Sequence, residues 1–279
     1  MNKTIAIAGL GLIGGSLALA LKAADAAIRV IGIDRDPAVL SAARQAGAVD
    51  EIGTGGLSRV GTLVLALPPE AAAAFLAQHA EELAPGTIVT DVCGVKRAVM
   101  ERCVPLCRAR GLWFVGGHPM AGREKGGFEN AVAGLFRGAS YILTPPDGTP
   151  PAVMDALSDF VRTLGCARVT VTTPEEHDRR IAFTSQLPHV LAGAYVKSPQ
   201  CPGHEGYSAG SYRDVSRVAA VDETLWAELF LLNRDNLCAE IDRLIDSLKS
   251  CRDAAAAGDR DRLEAVIREG RLRKEGNAR

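Results

Sequence analysis

The run Gly9-Leu10-Gly11-Leu12-Ile13-Gly14 constrains this chain more than any other stretch, because it sits between a strand-like Lys3 to Ala8 and a helix-like Leu17 to Lys22. Three glycines at this spacing, in a strand-to-helix turn, have separate physical jobs. Gly9 permits the tight turn, Gly11 lets the backbone approach a pyrophosphate, and Gly14 lets helix and strand pack closely. The helix start adds unpaired N–H donors and the positive end of its dipole, so the backbone of Leu10, Leu12 and Ile13 joins the glycines as a phosphate cradle. A second strand, Arg29 to Ile33, ends at Asp34, about 20 residues past Gly14, where a carboxylate can accept from an adenosine ribose. The cofactor implied is NAD. Arg35 beside it fits either a 2′-phosphate or the face of the adenine.

The alternation of strand and helix then continues. A helix-like Pro37 to Gln45 precedes Val49 to Ile52 and the strand Thr62 to Leu67, which stops at Pro68-Pro69 and so presents Leu67 and Pro68 at the cofactor edge. Helix-like Glu70 to Leu83, strand Thr87 to Val92, strand Trp113 to Val115, strand Ser140 to Thr144, helix Val153 to Leu164 and strand Ala167 to Thr172 complete the series. Beyond Pro174 the strand signals vanish. Glu175 to Lys197 reads as one long helix interrupted by Pro188, and Leu225 to Leu248 repeats apolar residues at helical spacing. The fold class expected is α/β: a Rossmann-type dinucleotide-binding domain over 1–173, then an all-α domain over 174–279. The apolar stripe serves an internal core or a dimer seam.

Composition narrows the partners. A formal net charge of -1, with both signs scattered along the chain, provides no basic stripe for nucleic acid. No apolar run reaches the roughly 18 residues of a membrane span, and no signal peptide precedes the first strand. Seven cysteines without a paired C-x-x-C spacing read as reduced thiols in a cytoplasmic protein, with no metal site. A small-molecule substrate is expected.

The candidate for chemistry is the run Phe114-Val115-Gly116-Gly117-His118-Pro119-Met120-Ala121-Gly122, where an apolar strand delivers a histidine to the carboxyl edge of the sheet. Histidine titrates closest to neutrality, so His118 is the candidate base. The neighbouring Gly116, Gly117 and Gly122 read as openings for close approach to a ligand.

From Gly117 through Gly127, with Leu135-Phe136, Ile142 to Pro145, Asp91 to Lys96, His177-Asp178, Ser185 to His189 and Tyr212 to Arg217, the sequence resembles the prephenate/arogenate dehydrogenase family of tyrosine biosynthesis. Several motifs in the family's order carry this, over nearly the whole chain. The resemblance implies that His118 hydrogen-bonds the substrate's ring hydroxyl and that Arg217 holds the ring carboxylate. It places His189, with Ser185 and Gln186, in the substrate pocket, and Glu124 either lines that pocket or is solvated. His177 and Asp178 read as interdomain hydrogen-bonding groups. Two residues depart from the pattern: Gly94 stands where the family often has serine, leaving Cys93, water or backbone to orient His118, and Gln186 replaces a histidine.

The expected activity is the NAD-dependent oxidative decarboxylation of prephenate to 4-hydroxyphenylpyruvate, with arogenate as the alternative substrate. Two rivals are a β-hydroxyacid dehydrogenase, which would need an asparagine where Cys201 follows Lys197, and a non-catalytic NAD-binding protein. A homodimer through 174–279 is expected. No βαββαβ segment follows the helical region, so any inhibition by tyrosine is expected at the active site.

Overall fold

The computed structural model describes residues 3–123 and 125–276, so Glu124 lies outside the described residues. Eight strands form one sheet in the order β3-β2-β1-β4-β5-β6-β7-β8. They are β1 (Thr4–Ala8), β2 (Arg29–Ile33), β3 (Glu51–Ile52), β4 (Thr62–Leu65), β5 (Ile88–Asp91), β6 (Trp113–Pro119), β7 (Ser140–Thr144) and β8 (Arg168–Val171). The first six are parallel and β7 runs antiparallel to β6. Between them lie α1 (Leu12–Ala24), α2 (Pro37–Gln45), α3 (Pro69–His79), α4 (Arg97–Ala109) and α5 (Pro151–Thr163). Their apolar faces cover the sheet on both sides: Leu17, Leu21, Leu157 and Phe160 belong to one core, Leu76, Val99, Cys103 and Cys107 to the other. Burial on both faces is why these strands read as continuous apolar runs. The strand order reverses at β1 and β4, which places a ligand crevice beyond their carboxyl ends.

The remainder is helical: α6 (Pro174–Ile181), α7 (Leu187–Tyr195), α8 (Gly210–Ser216), α9 (Glu223–Leu232), α10 (Arg234–Ala256) and α11 (Arg260–Gly276). Two expectations change here. Pro188 does not interrupt its helix, because a π-helical turn over Ala182–Gln186 joins α6 to α7 just before it. The extra residue in that turn lets the chain accept a proline in the first turn of α7 without a clash against the preceding carbonyls. The apolar stripe from Leu225 to Leu248 is also broken at Asn233, whose buried side chain donates to Asp178 O and to Gln186 Oε1 at 2.8 Å each. The stripe therefore serves two helices. On α9 Leu229 enters the Rossmann-side core with Leu225 and Leu232 beside it, on α10 Leu237 is buried, and Leu248 is exposed.

Candidate active site

The β1–α1 turn shows which glycines the protein itself requires. Gly9 has φ +89°, and a Cβ there would lie 2.3 Å from Ala66 O; a Cβ on Gly14 would lie 1.8 Å from Gly9 O. Gly11 differs. A Cβ there would meet nothing within 4 Å among the described residues, so the protein's own packing does not demand a glycine at this position. The N-cap of α1 has no side-chain hydrogen bond, and helix geometry leaves the N–H groups of Leu12, Ile13 and Gly14 without intrahelical partners. That open backbone beside unpaired donors fits a dinucleotide pyrophosphate.

Leu10 is a correction to the cradle. Its side chain is fully buried, and its N–H donates to Asp34 Oδ2 at 2.8 Å, so it braces the turn and offers no donor to phosphate. Leu12 is likewise core, so only its backbone is available. Asp34 also accepts from Asp36 N at 3.0 Å, and each of its oxygens keeps a lone pair for a ribose hydroxyl. Arg35 and Pro68 are exposed and Leu67 is partly buried at the same edge of the sheet.

His118 is carried by an unusual strand. β6 pairs with β5 only from Trp113 to Val115, because β5 ends at Asp91; from Gly116 to Pro119 its ordered partner is β7. The strand thus runs past the edge of the parallel sheet. Where β5 is missing, a buried ion pair stands in: Gly117 N donates to Asp91 Oδ1 at 3.1 Å, Gly117 O accepts from Lys96 Nζ at 2.6 Å, and Lys96 pairs with Asp91 Oδ2. Both side chains are fully buried. This overturns the reading of Gly116 and Gly117 as openings toward a ligand. A Cβ at 116 would lie 2.3 Å from Thr144 Oγ1, and one at 117 would lie 2.5 Å from Asp91 O, so both glycines make room for protein. A Cβ on Gly122 would meet nothing within 4 Å among the described residues.

His118 is partly buried, and its Nδ1 lies 2.9 Å from Nε2 of His177. His177 Nδ1 in turn lies 2.7 Å from Asp178 Oδ1. Burial, reinforced by the nearby His177 and by the Lys96 ammonium, holds the His118 pKa well below its ordinary value. All three effects favour the neutral ring over the imidazolium. Burial also lowers His177, although Asp178 opposes the shift. Burial would raise Asp178, but hydrogen bonds from His177 and from the amides of Lys96 and Arg97 outweigh it and lower its pKa. Those two amides belong to the start of α4, so one carboxylate of the helical domain caps a helix of the sheet domain. The side chain that meets His118 Nδ1 is thus His177, and not Cys93. The Cys93 thiol is turned to Leu67 O at 3.3 Å, and burial pushes its pKa well up.

The second group forms on the π-helical turn, α7, the short turn after α8 and α9. His189 Nδ1 lies 2.8 Å from Ser185 O, and its ring stacks on Trp226 with centroids 3.7 Å apart. Burial lowers its pKa, the Ser185 carbonyl opposes this, and the charge of Arg217 lowers it further, which places Arg217 near this histidine. Gln186 is a correction. It is buried, its Nε2 donates to Leu229 O at 3.1 Å and its Oε1 accepts from Asn233, so it cross-braces helices and presents no face to a substrate. One face of α9 links the two groups, since Trp226 stacks on His189 while Leu229 covers Gly94 at 3.6 Å from where a Cβ would be.

Three residues that sequence reasoning passed over matter here. Trp226 is one of two tryptophans and could have been singled out by rarity alone. Arg97 carried no signal, yet it bridges Asp178 at 3.4 Å and Asp235 at 2.6 Å across the domains. Asn233 holds Asp178 and Gln186 together, and nothing in its local sequence announces that.

An open, mostly parallel sheet with a glycine turn shaped for a dinucleotide, a neutral histidine at its carboxyl edge and a helical second domain define a nicotinamide-dependent oxidoreductase. Residues 17–171 match the family model described as prephenate dehydrogenase, nucleotide-binding domain, and residues 173–269 match prephenate dehydrogenase, dimerization domain. The chain belongs to the prephenate dehydrogenase family. Among its relatives, prephenate dehydrogenase of Bacillus subtilis is 33% identical over 94% of this chain and 73% of its own length. Cyclohexadienyl dehydrogenase of Zymomonas mobilis is 34% identical over 94% of this chain and 91% of its own. The crystal structure of prephenate dehydrogenase from A. aeolicus, in complex with hydroxyphenyl propionate and NAD+, superposes with a TM-score of 0.87 at 26% identity, covering 98% of this chain and 97% of that one.

Proposed function

We propose that this chain is an NAD-dependent prephenate dehydrogenase that oxidatively decarboxylates prephenate to 4-hydroxyphenylpyruvate, the step that leads to tyrosine. The observation that carries the reading is the placement of His118, its Nδ1 held 2.9 Å from His177 Nε2, at the carboxyl edge of the sheet whose first turn is shaped for a dinucleotide. The names of the Bacillus and A. aeolicus relatives, and the NAD+ in the latter, support it. Gly9, Gly11, Leu12, Ile13 and Gly14 hold the pyrophosphate through backbone, and Asp34 holds the ribose, with Arg35, Leu67 and Pro68 around the adenosine half. When bound, the nicotinamide accepts the hydride from the ring carbon that bears the hydroxyl.

The protein's part is orientation and one proton. Arg217, with its planar guanidinium, grips the ring carboxylate, and His189 and the Ser185 turn complete that end of the pocket. His118 accepts the hydroxyl proton as the oxygen becomes a carbonyl. Loss of carbon dioxide then pushes an electron pair through the ring to that oxygen, which recovers the proton as the phenol forms. The base ends unchanged, and aromatisation makes the step strongly downhill. Work is divided at residue 173, with cofactor binding and the base His118 before it and the carboxylate grip and dimer formation after it.

The test is a steady-state assay of prephenate and arogenate with NAD and with NADP, on the native chain and on His118→Asn. Prephenate with NAD is the expected pair, and His118→Asn is expected to lower turnover about 10²–10⁴-fold with cofactor affinity unchanged. No turnover of either substrate would leave a cofactor-binding protein without this chemistry.

A further inference from the structure

We infer that His177 and Asp178 act as positioning residues that fix the tautomer of His118 and aim its unprotonated nitrogen into the site. This rests on the reading of His118 as the base. Ionised Asp178 can only accept hydrogen bonds. Its Oδ1 takes Lys96 N at 2.7 Å and its Oδ2 takes Arg97 N at 3.0 Å, so the ring atom 2.7 Å from Oδ1 must be a protonated Nδ1 of His177. A neutral His177 then has its lone pair on Nε2, and that atom faces His118 Nδ1 at 2.9 Å. The only donor available to that contact is an Nδ1–H on His118. By elimination the His118 lone pair is on Nε2, the nitrogen on the far side of the ring from His177.

The alternative assignment makes His177 a cation with His118 as acceptor. That places a second positive charge in a buried cluster that already holds the Lys96 ammonium, with Asp91 neutralised by Lys96 and Asp178 shared with Arg97. The lowered pKa of His177 agrees with the neutral form. Among the described residues neither neighbour that could replace it does this work, because Gly94 has no side chain and the Cys93 thiol is turned to Leu67 O. When His118 takes the substrate proton on Nε2, its Nδ1 proton is already directed along the line to His177 and Asp178. The carboxylate at the end of that line stabilises the imidazolium until the proton returns.

The direct test is nitrogen-15 NMR of the imidazoles in the full chain at neutral pH, with signals assigned by comparison with His118→Asn and His177→Gln. Expected is His118 with its proton on Nδ1 and a bare Nε2, and His177 also protonated on Nδ1. A proton on Nε2 of His118 overturns the inference. The kinetic test compares His177→Leu, which has no acceptor, with His177→Gln, whose amide oxygen can stand near the lost Nε2. The Leu variant is expected to lose about 10–100-fold in turnover with KM and NAD affinity within about twofold, and the Gln variant to recover most of it. Equal losses in both variants would assign His177 to packing and overturn the positioning role. The NMR result stands apart from the activity reading: unchanged turnover in His118→Asn would remove the base assignment while leaving the tautomer as observed.

Discussion

Asp34 shows how one side chain can serve both the apo fold and the cofactor. It holds the β1–α1 turn through Leu10 N and its own loop through Asp36 N, and it keeps acceptor capacity for a ribose. A 2′-phosphate there would meet its negative charge, so NAD is expected to be strongly preferred over NADP. Asp34→Ser should narrow that preference at least tenfold, or about 1.4 kcal/mol, chiefly through a lower KM for NADP. Comparable specificity constants for the two cofactors in the native chain would refute the assignment. At this scale His118 was legible because its glycine-flanked motif and strand end are both local. His177 was legible only as an interdomain group, since its partner lies 59 positions away in another domain and the pairing depends on how α6 docks on β6.

Elements explain what single residues do not. The three glycines of the fingerprint look alike in sequence, but the fold demands Gly9 and Gly14 and leaves Gly11 free. Gly14→Ala forces a Cβ against the Gly9 carbonyl and should destabilise the chain by about 1–3 kcal/mol. Gly11→Ala should leave the unfolding temperature of the apo chain nearly unchanged, within about 0.5 kcal/mol, yet weaken NAD binding tenfold or more. Thermal unfolding paired with a fluorescence titration reads both, and a Gly11→Ala chain that binds NAD normally would show that the open space is not the pyrophosphate's. The glycines before His118 were misread for a related reason. Sequence shows where side chains are missing but not which neighbour fills the gap, and here the neighbours are the buried Lys96–Asp91 pair and Thr144. The π turn before Pro188 was equally hidden, because a proline in a helical pattern normally signals a break.

For the molecule as a whole, the buried histidines set a pH dependence. His118 and His177 both have folded pKa values below the ordinary value of about 6.5, so the unfolded chain binds protons that the folded chain refuses. Stability should therefore be full above about pH 7 and fall as the pH drops through 6 toward 5. Asp178, with its lowered pKa, holds its own contribution until the pH falls below the ordinary carboxyl value of about 3.9. Calorimetry of the native chain and of His177→Gln should show a shallower decline between pH 7 and 5 in the variant. A native profile that is flat over that range would contradict a buried neutral pair.

The helical region also carries more apolar surface than one chain covers. Leu231, Leu248, Ile267 and Leu272 are 66%, 55%, 61% and 54% exposed, and α11 has no buried residue at all. Among the described residues no helix is long and apolar enough to cross a membrane. The family model that matches residues 173–269 is described as a dimerization domain, so a second copy of this chain is the occupant we propose. An obligate interface would need to bury on the order of 2,000 Å² or more. Light scattering at micromolar concentration should give twice the chain mass of 29.3 kDa. Leu248→Glu combined with Ile267→Glu should shift it toward the monomer by placing charges in the seam. A monomeric mass for the native chain would reject the dimer, and a double variant that stays dimeric would move the seam elsewhere on the helical domain.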